Sequence, residues 1–184
     1  SKWFFSHEPS FSPDGKYIAI SSARDFTPSY SDIEWNYAYF NMEKLYLILL
    51  KKDGKSPFAP ENIEVTTDTS NTDKKKPAET KEKKSETAVE IDFENIEQRL
   101  IPVPVKASSY YNVWMAGDGI YYNERSEGKT NTFKYYDLKK KEETELGTAN
   151  RYAISSNGKK MLVNESGKWG VIDLPTSKIS LKDE

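Results

Sequence analysis

The chain has 184 residues, with 27 basic and 29 acidic side chains, 13% aromatic residues and no cysteine. Near-balanced charge argues against a nucleic-acid surface, which needs a clustered basic excess, and the missing cysteines exclude a disulfide framework and thiol chemistry. No run approaches the length of an apolar membrane-spanning helix; the longest core-like run is LYLILL, residues 45–50.

Residues 1–10, SKWFFSHEPS, lack the layout of a secretion signal, and the chain opens almost directly into a repeat. A piece of a longer polypeptide is expected. Residues 11–22, FSPDGKYIAISS, then read as a strand end, a tight turn and a second strand. Pro13 presets the turn, Asp14 bonds its own backbone, and Gly15 takes a positive φ at no steric cost. Both faces of the second strand are apolar enough to be buried.

Residues 23–44 interrupt this first unit with an aromatic-rich insertion carrying Phe26, Tyr30, Trp35, Tyr37, Tyr39 and Phe40. A third strand follows at residues 45–50. A second insertion, residues 52–87, ends in the segment 66–87, which has no aromatic residue and no aliphatic one beyond Ala78. It cannot bury enough apolar surface to offset its ordering entropy, so a mobile loop is expected. A fourth strand is predicted within residues 90–101, with Glu90, Asp92 and Glu94 on one solvated face. Loops of an antiparallel sheet alternate between its ends, so the two insertions should lie on opposite faces of the unit.

The hairpin recurs. Residues 154–165, ISSNGKKMLVNE, match 11–22 without a gap, pairing Phe11 with Ile154, Gly15 with Gly158 and Ile20 with Val163. Residues 115–124, MAGDGIYYNE, form a third copy, aligned on Gly119. Gly119 and Gly158 are 39 residues apart, close to the period of a four-stranded propeller blade. The middle unit predicts strands at 110–115, 120–123, 132–138 and 142–146; the last predicts them at 151–154, 160–164, 169–173 and 178–181. The fold class is therefore all-β, a partial β-propeller of about three four-stranded antiparallel blades. These are a 1–105 blade with insertions 23–44 and 52–87, a 106–147 blade and a 148–184 blade. Three blades leave open sheet flanks, so the isolated chain is expected to self-associate through blade edges.

The residues offer little chemistry. A nucleophilic Ser or Thr needs a base, and His7 is the single histidine, next to Glu8 on an extended segment where adjacent side chains diverge. Zinc needs more ligands, residues 66–74 lack the glycine and terminal Glu of a calcium loop, and GDG at 117–119 is explained as a repeat turn rather than a phosphate loop. No catalytic residue, metal or cofactor is assigned. The aromatic insertion admits two readings: packing onto its own or a neighbouring blade, or a peptide- or partner-facing surface through Tyr30, Trp35, Tyr37 and Tyr39, with Arg24 and Asp25 at its root fixing a ligand terminus.

IDFENIEQRLIPVPV, residues 91–105, and SPFAPEN, residues 56–62, together with the SPDG turn and the ending YAISSNGKKMLV…WGVIDL, resemble the second propeller of tricorn-type serine proteases over nearly the whole chain. The resemblance implies a large parent peptidase in which propellers precede a PDZ-like domain and the catalytic Ser and His. None of those catalytic segments is in this chain. It also implies that the propeller filters or channels peptides, and the loop style hints at a periplasmic parent, with a cytoplasmic one still open. The expected function is a non-catalytic propeller segment of such a peptidase, part of a peptide channel and a docking surface for the rest of the protein. Its partners would be peptides and the remainder of the parent, with no nucleic acid and no membrane. Two rivals stay open: a free-standing interaction module, and a propeller enzyme using carboxylates in its channel.

Overall fold

The computed structural model describes residues 3–25, 29–30, 37–38, 40–60, 89–125 and 130–181. These form an all-β partial propeller. The first sheet has the order β1 (Ser6–Phe11), β2 (Tyr17–Ser22), β5 (Lys44–Leu49), β6 (Leu100–Pro102). A two-stranded ribbon, β3 (Ser29–Tyr30) with β4 (Tyr37–Ala38), stands in the first long connection. The second sheet comprises β7 (Ser109–Ala116), β8 (Gly119–Arg125), β9 (Thr132–Asp137) and β10 (Glu142–Gly147). The third comprises β11 (Arg151–Ile154), β12 (Lys160–Glu165) and β13 (Lys168–Asp173). Every strand pairing is antiparallel, so the two long connections leave opposite ends of β5. Residues 66–87, expected to be a mobile loop, lie outside the described residues.

The repeated hairpin has a shared mechanism. In the first sheet the Ser12 hydroxyl accepts the backbone N–H of Lys16 and of Tyr17, at 3.0 and 2.9 Å, and donates to Asp14. In the third, Ser155 accepts the N–H of Lys160 at 2.9 Å and donates to Asn157. Gly15 and Gly158 take φ +67° and +63°. The middle copy differs from expectation. Its turn is the two residues Gly117 and Asp118, and the left-handed glycine is Gly117, at φ +56°. A shorter loop moves the positive φ to the first turn position. Gly119, the expected counterpart, lies in β8, where a side chain would collide with the Tyr136 carbonyl and the Tyr135 ring.

Two fourth strands also differ. Of residues 90–101 only Leu100 and Ile101 are strand, as the start of β6; Ile96–Gln98 is a turn of 3-10 helix entered through Asn95 at φ +54°. The carboxylates do not share a strand face. Glu90 and Glu94 pair with Lys51 and Lys52, while Asp92 accepts the Lys52 N–H at 2.9 Å and its own N–H donates to the Leu50 carbonyl. The backbone bonds of Asp92 and the 3-10 turn, rather than sheet pairing, shape this segment. Residues 178–181 form no strand. The Ile179 N–H donates to the Leu146 carbonyl in the second sheet, at 2.8 Å, and Ile179 is buried there. Leu181 lies against Gly170, where a side chain would collide with it.

The core lies in two layers on either side of the second sheet. Ile120, Tyr122 and Tyr136 pack towards Ala19, Leu45 and Leu47 of the first sheet. Tyr121, Phe133 and Tyr135 pack towards Tyr152, Met161 and Val163 of the third. Alternation along β8 and β9 sends successive side chains to opposite layers.

Candidate functional site

Arg24 and Asp25 are engaged in holding the root of the aromatic insertion. The Arg24 guanidinium lies over the rings of Phe4 and Tyr46, 5.0 and 6.0 Å from their centroids, and its Nε donates to Ser22 Oγ. Asp25 pairs with Lys44, and its N–H donates to the Met42 carbonyl. Tyr30 and Tyr37 are backbone partners in the β3–β4 ribbon. Trp35 and Tyr39 lie outside the described residues.

His7 is built into an inter-sheet latch. Its Nε2 lies 3.0 Å from Glu43 Oε1, while Glu43 Oε2 accepts Ser21 Oγ and the Tyr110 backbone N–H at 3.3 and 2.9 Å. Glu43 and Ser108 also exchange backbone bonds at 2.9 and 3.0 Å. One carboxylate thereby ties β1, β2 and β7 together. Serine and histidine both face the carboxylate rather than each other, so the trio lacks the Ser–His bond of a nucleophilic triad. Among the described residues, no group of three or more His, Cys, Asp or Glu could hold a metal ion.

The second sheet carries a further polar cluster. Lys134 Nζ contacts Glu124 Oε2 and Glu143 Oε2 at 2.7 and 2.8 Å, and the Tyr122 hydroxyl donates to Glu143. Burial disfavours the Lys134 ammonium, but its two carboxylate partners outweigh that and raise its pKa. Burial, reinforced by nearby carboxylates, pushes the hydroxyls of Tyr110, Tyr121 and Tyr122 well above 10, and that of Tyr135 to about 12. These phenols stay neutral at ordinary pH and serve as packing and hydrogen-bonding groups.

The concave surface lies elsewhere, where the three sheets converge. β1, β7 and β11 are each the free edge of their own sheet. Their side chains stitch neighbouring sheets. Glu8 Oε2 accepts the Val113 N–H at 3.3 Å, Ser10 Oγ accepts the Met115 N–H at 2.9 Å, and Asn112 Nδ2 donates to the Asn150 carbonyl at 3.2 Å. β1 and β7 carry matching bulges, between His7 and Ser10 and between Tyr111 and Trp114, with Glu8 and Asn112 at φ +56° and +52°. Along this seam runs a groove of about 800 Å³ lined by β1, β7 and the Ser155–Gly158 turn. Phe11 and Trp114 face it while remaining 51% and 44% exposed.

Sequence reasoning missed Glu8, Ser10, Phe11 and Trp114 as groove residues. A signal existed: Glu8 and Asn112 each stand three residues before the residues that the repeat aligns, Phe11 and Met115. Extending the repeat backwards from the hairpin turns would have paired them.

The chain is 26% identical to tricorn protease homolog 1 of Streptomyces coelicolor over 202 aligned residues, covering 98% of this chain and 18% of that protein. It is 31% identical to a putative tricorn-like protease C-terminal subunit of Sulfurisphaera tokodaii over 113 residues, covering 61% of this chain and 11% of that protein. The chain thus spans less than a fifth of these curated relatives. Its fold matches the crystal structure of the tricorn protease with a TM-score of 0.61 at 18% identity, covering 92% of this chain and 16% of that one. The sequence profile described as the tricorn protease second beta propeller domain matches residues 1–175, and the chain belongs to that family.

Proposed function

We propose that this propeller segment forms part of the wall of a peptide channel in a larger tricorn-like serine peptidase, docks the rest of that protein and performs no bond cleavage itself. The observation that carries the reading is the groove along β1, β7 and β11, open to solvent, with two half-exposed aromatic side chains on adjoining strands. Closed propellers place a channel at the convergence of their blades. Apolar walls with internally satisfied polar groups hold extended peptides weakly and without sharp sequence preference.

The docking half of the reading is supported by the outer face of the third sheet. Leu162, Trp169 and Val171 share that face and are 40%, 57% and 69% exposed. The same face supports self-association of the isolated chain. An exported, periplasmic parent accords with the loop style and forms part of the proposal.

Titration of short capped peptides into the chain tests the channel. Binding in the high-micromolar to millimolar range, weakened by Phe11→Ala and Trp114→Ala, is the expected result. Absence of binding at millimolar peptide sinks it.

A further inference from the structure

We propose that the groove selects basic peptides: a Lys or Arg side chain of an extended peptide pairs with Glu8 while a bulky apolar side chain two residues away lies over Phe11 and Trp114. This rests on the channel reading above and adds what such a channel favours.

Charge is the first ground. Glu8 is the one charged residue among the described residues lining the groove. The other polar groups are largely occupied. Ser10 Oγ accepts the Met115 N–H, Ser155 Oγ and Asn157 Oδ1 hold their own turn, and Pro9 and Pro13 have no N–H to offer. A ligand therefore meets apolar surface and a single negative charge.

Backbone conformation is the second ground. Glu8 and Asn112 occupy the same place in matching bulges. Asparagine tolerates a left-handed backbone, and the Asn112 amide is used internally, donating to Asn123 Oδ1 and the Asn150 carbonyl. Glutamate has no such tolerance, so at φ +56° the first sheet holds a strained residue whose side chain is still 36% exposed. Strain of this kind points to a role for the side chain. One Glu8 oxygen accepts the Val113 N–H and the other lies 4.0 Å from His7 Nδ1, facing the groove side of β1.

Geometry is the third. Alternate residues of an extended peptide share one side about 7 Å apart, which lets one side chain reach the carboxylate while another covers the aromatic pair.

Two short peptides with acetylated and amidated ends decide the matter. They carry the same Phe and differ two residues away, Lys in one and Glu in the other. Titrated into the 184-residue chain, the Lys peptide should bind about fivefold tighter at low salt, as a partly exposed ion pair allows. The preference should shrink at high salt and vanish in Glu8→Gln, which keeps the acceptor for Val113. Equal binding of the two peptides by the wild-type chain, or tighter binding of the Glu peptide, overturns the charge selection and leaves the channel reading standing. Binding of neither at millimolar concentration overturns the channel reading itself. Should Glu8→Gln lose its near-ultraviolet dichroism, the two peptides on the wild-type chain at both salts still decide the outcome.

Discussion

In the second sheet, β8 is buried along six of its seven residues; in the third, β13 has no buried residue at all. Both sheets start from related hairpins. The difference lies in their surroundings: among the described residues, the second sheet is covered on both faces by neighbours, while the third is covered on one. The covered sheet concentrates stability, with Tyr110 against Tyr122 and Tyr121 against Tyr135 at ring separations of 5.4 and 4.7 Å. The half-covered sheet contributes less to the core and keeps an apolar face for contact. Burial, and not strand sequence, separates the two roles.

High pH should break the contrast most strongly. Tyr110, Tyr121, Tyr122 and Tyr135 belong to the second sheet, and their folded pKa values lie above 10. A raised folded value means the stabilising neutral form is fully present below pH 10 and lost above it, as the unfolded phenols ionise first. Each such tyrosine should lower stability by about 1.4 kcal/mol per pH unit above 10. Lys134 acts in the same direction, because its raised value makes its contribution fade as pH rises past that of a free lysine. Denaturant melts at a series of alkaline pH values check this; a flat profile from pH 10 to 12 would refute it.

Core truncation comes next. Phe133→Ala should cost about 4 kcal/mol, since the ring is fully buried between Tyr121 and Tyr152. Trp169→Ala, on the exposed face of the third sheet, should cost under about 1 kcal/mol. Urea unfolding of both variants measures the difference, and similar losses would erase the distinction between the sheets. Glu124→Ala should cost about 3 kcal/mol by stripping the buried Lys134 of one of its two carboxylates. Trp169→Ala combined with Val171→Thr should reduce self-association in sedimentation while leaving the melting temperature within a few degrees. A strictly monomeric wild-type chain at high concentration would remove self-association through this face. The smallest effect belongs to Tyr136→Phe. Among the described residues the buried Tyr136 hydroxyl has no hydrogen-bond partner, and its ring packs T-shaped with that of Phe58, so removing the hydroxyl should change stability by no more than about 0.5 kcal/mol, or improve it slightly.

Legibility in the sequence followed the range of the interaction involved. The turns at Ser12–Lys16 and Ser155–Lys159 were readable because their bonds join residues within five positions of one another. The middle turn was misread by one glycine, because Gly119 is demanded by the Tyr135 ring in the next strand and not by its own backbone. The strand predicted at 90–101 is present only at its end, because Asp92 bonds the backbone of Leu50 and Lys52, some 40 residues earlier, and a 3-10 turn follows. Arg24 and Asp25 stood where the sequence suggested, at the root of the aromatic insertion, yet their bonds go to neighbours of the first sheet and its flanks.

By itself, the sequence determined the all-β class, the repeat, the turn chemistry and the family resemblance, since each is written in local spacing. Tertiary structure alone decided that Glu8 meets Val113 and Ser10 meets Met115, pairs 105 residues apart that create the groove. It also decided which faces are covered. The physical reason is that burial and inter-sheet bonding depend on which sheet packs beside which, and strand alternation fixes two faces without saying what lies against either.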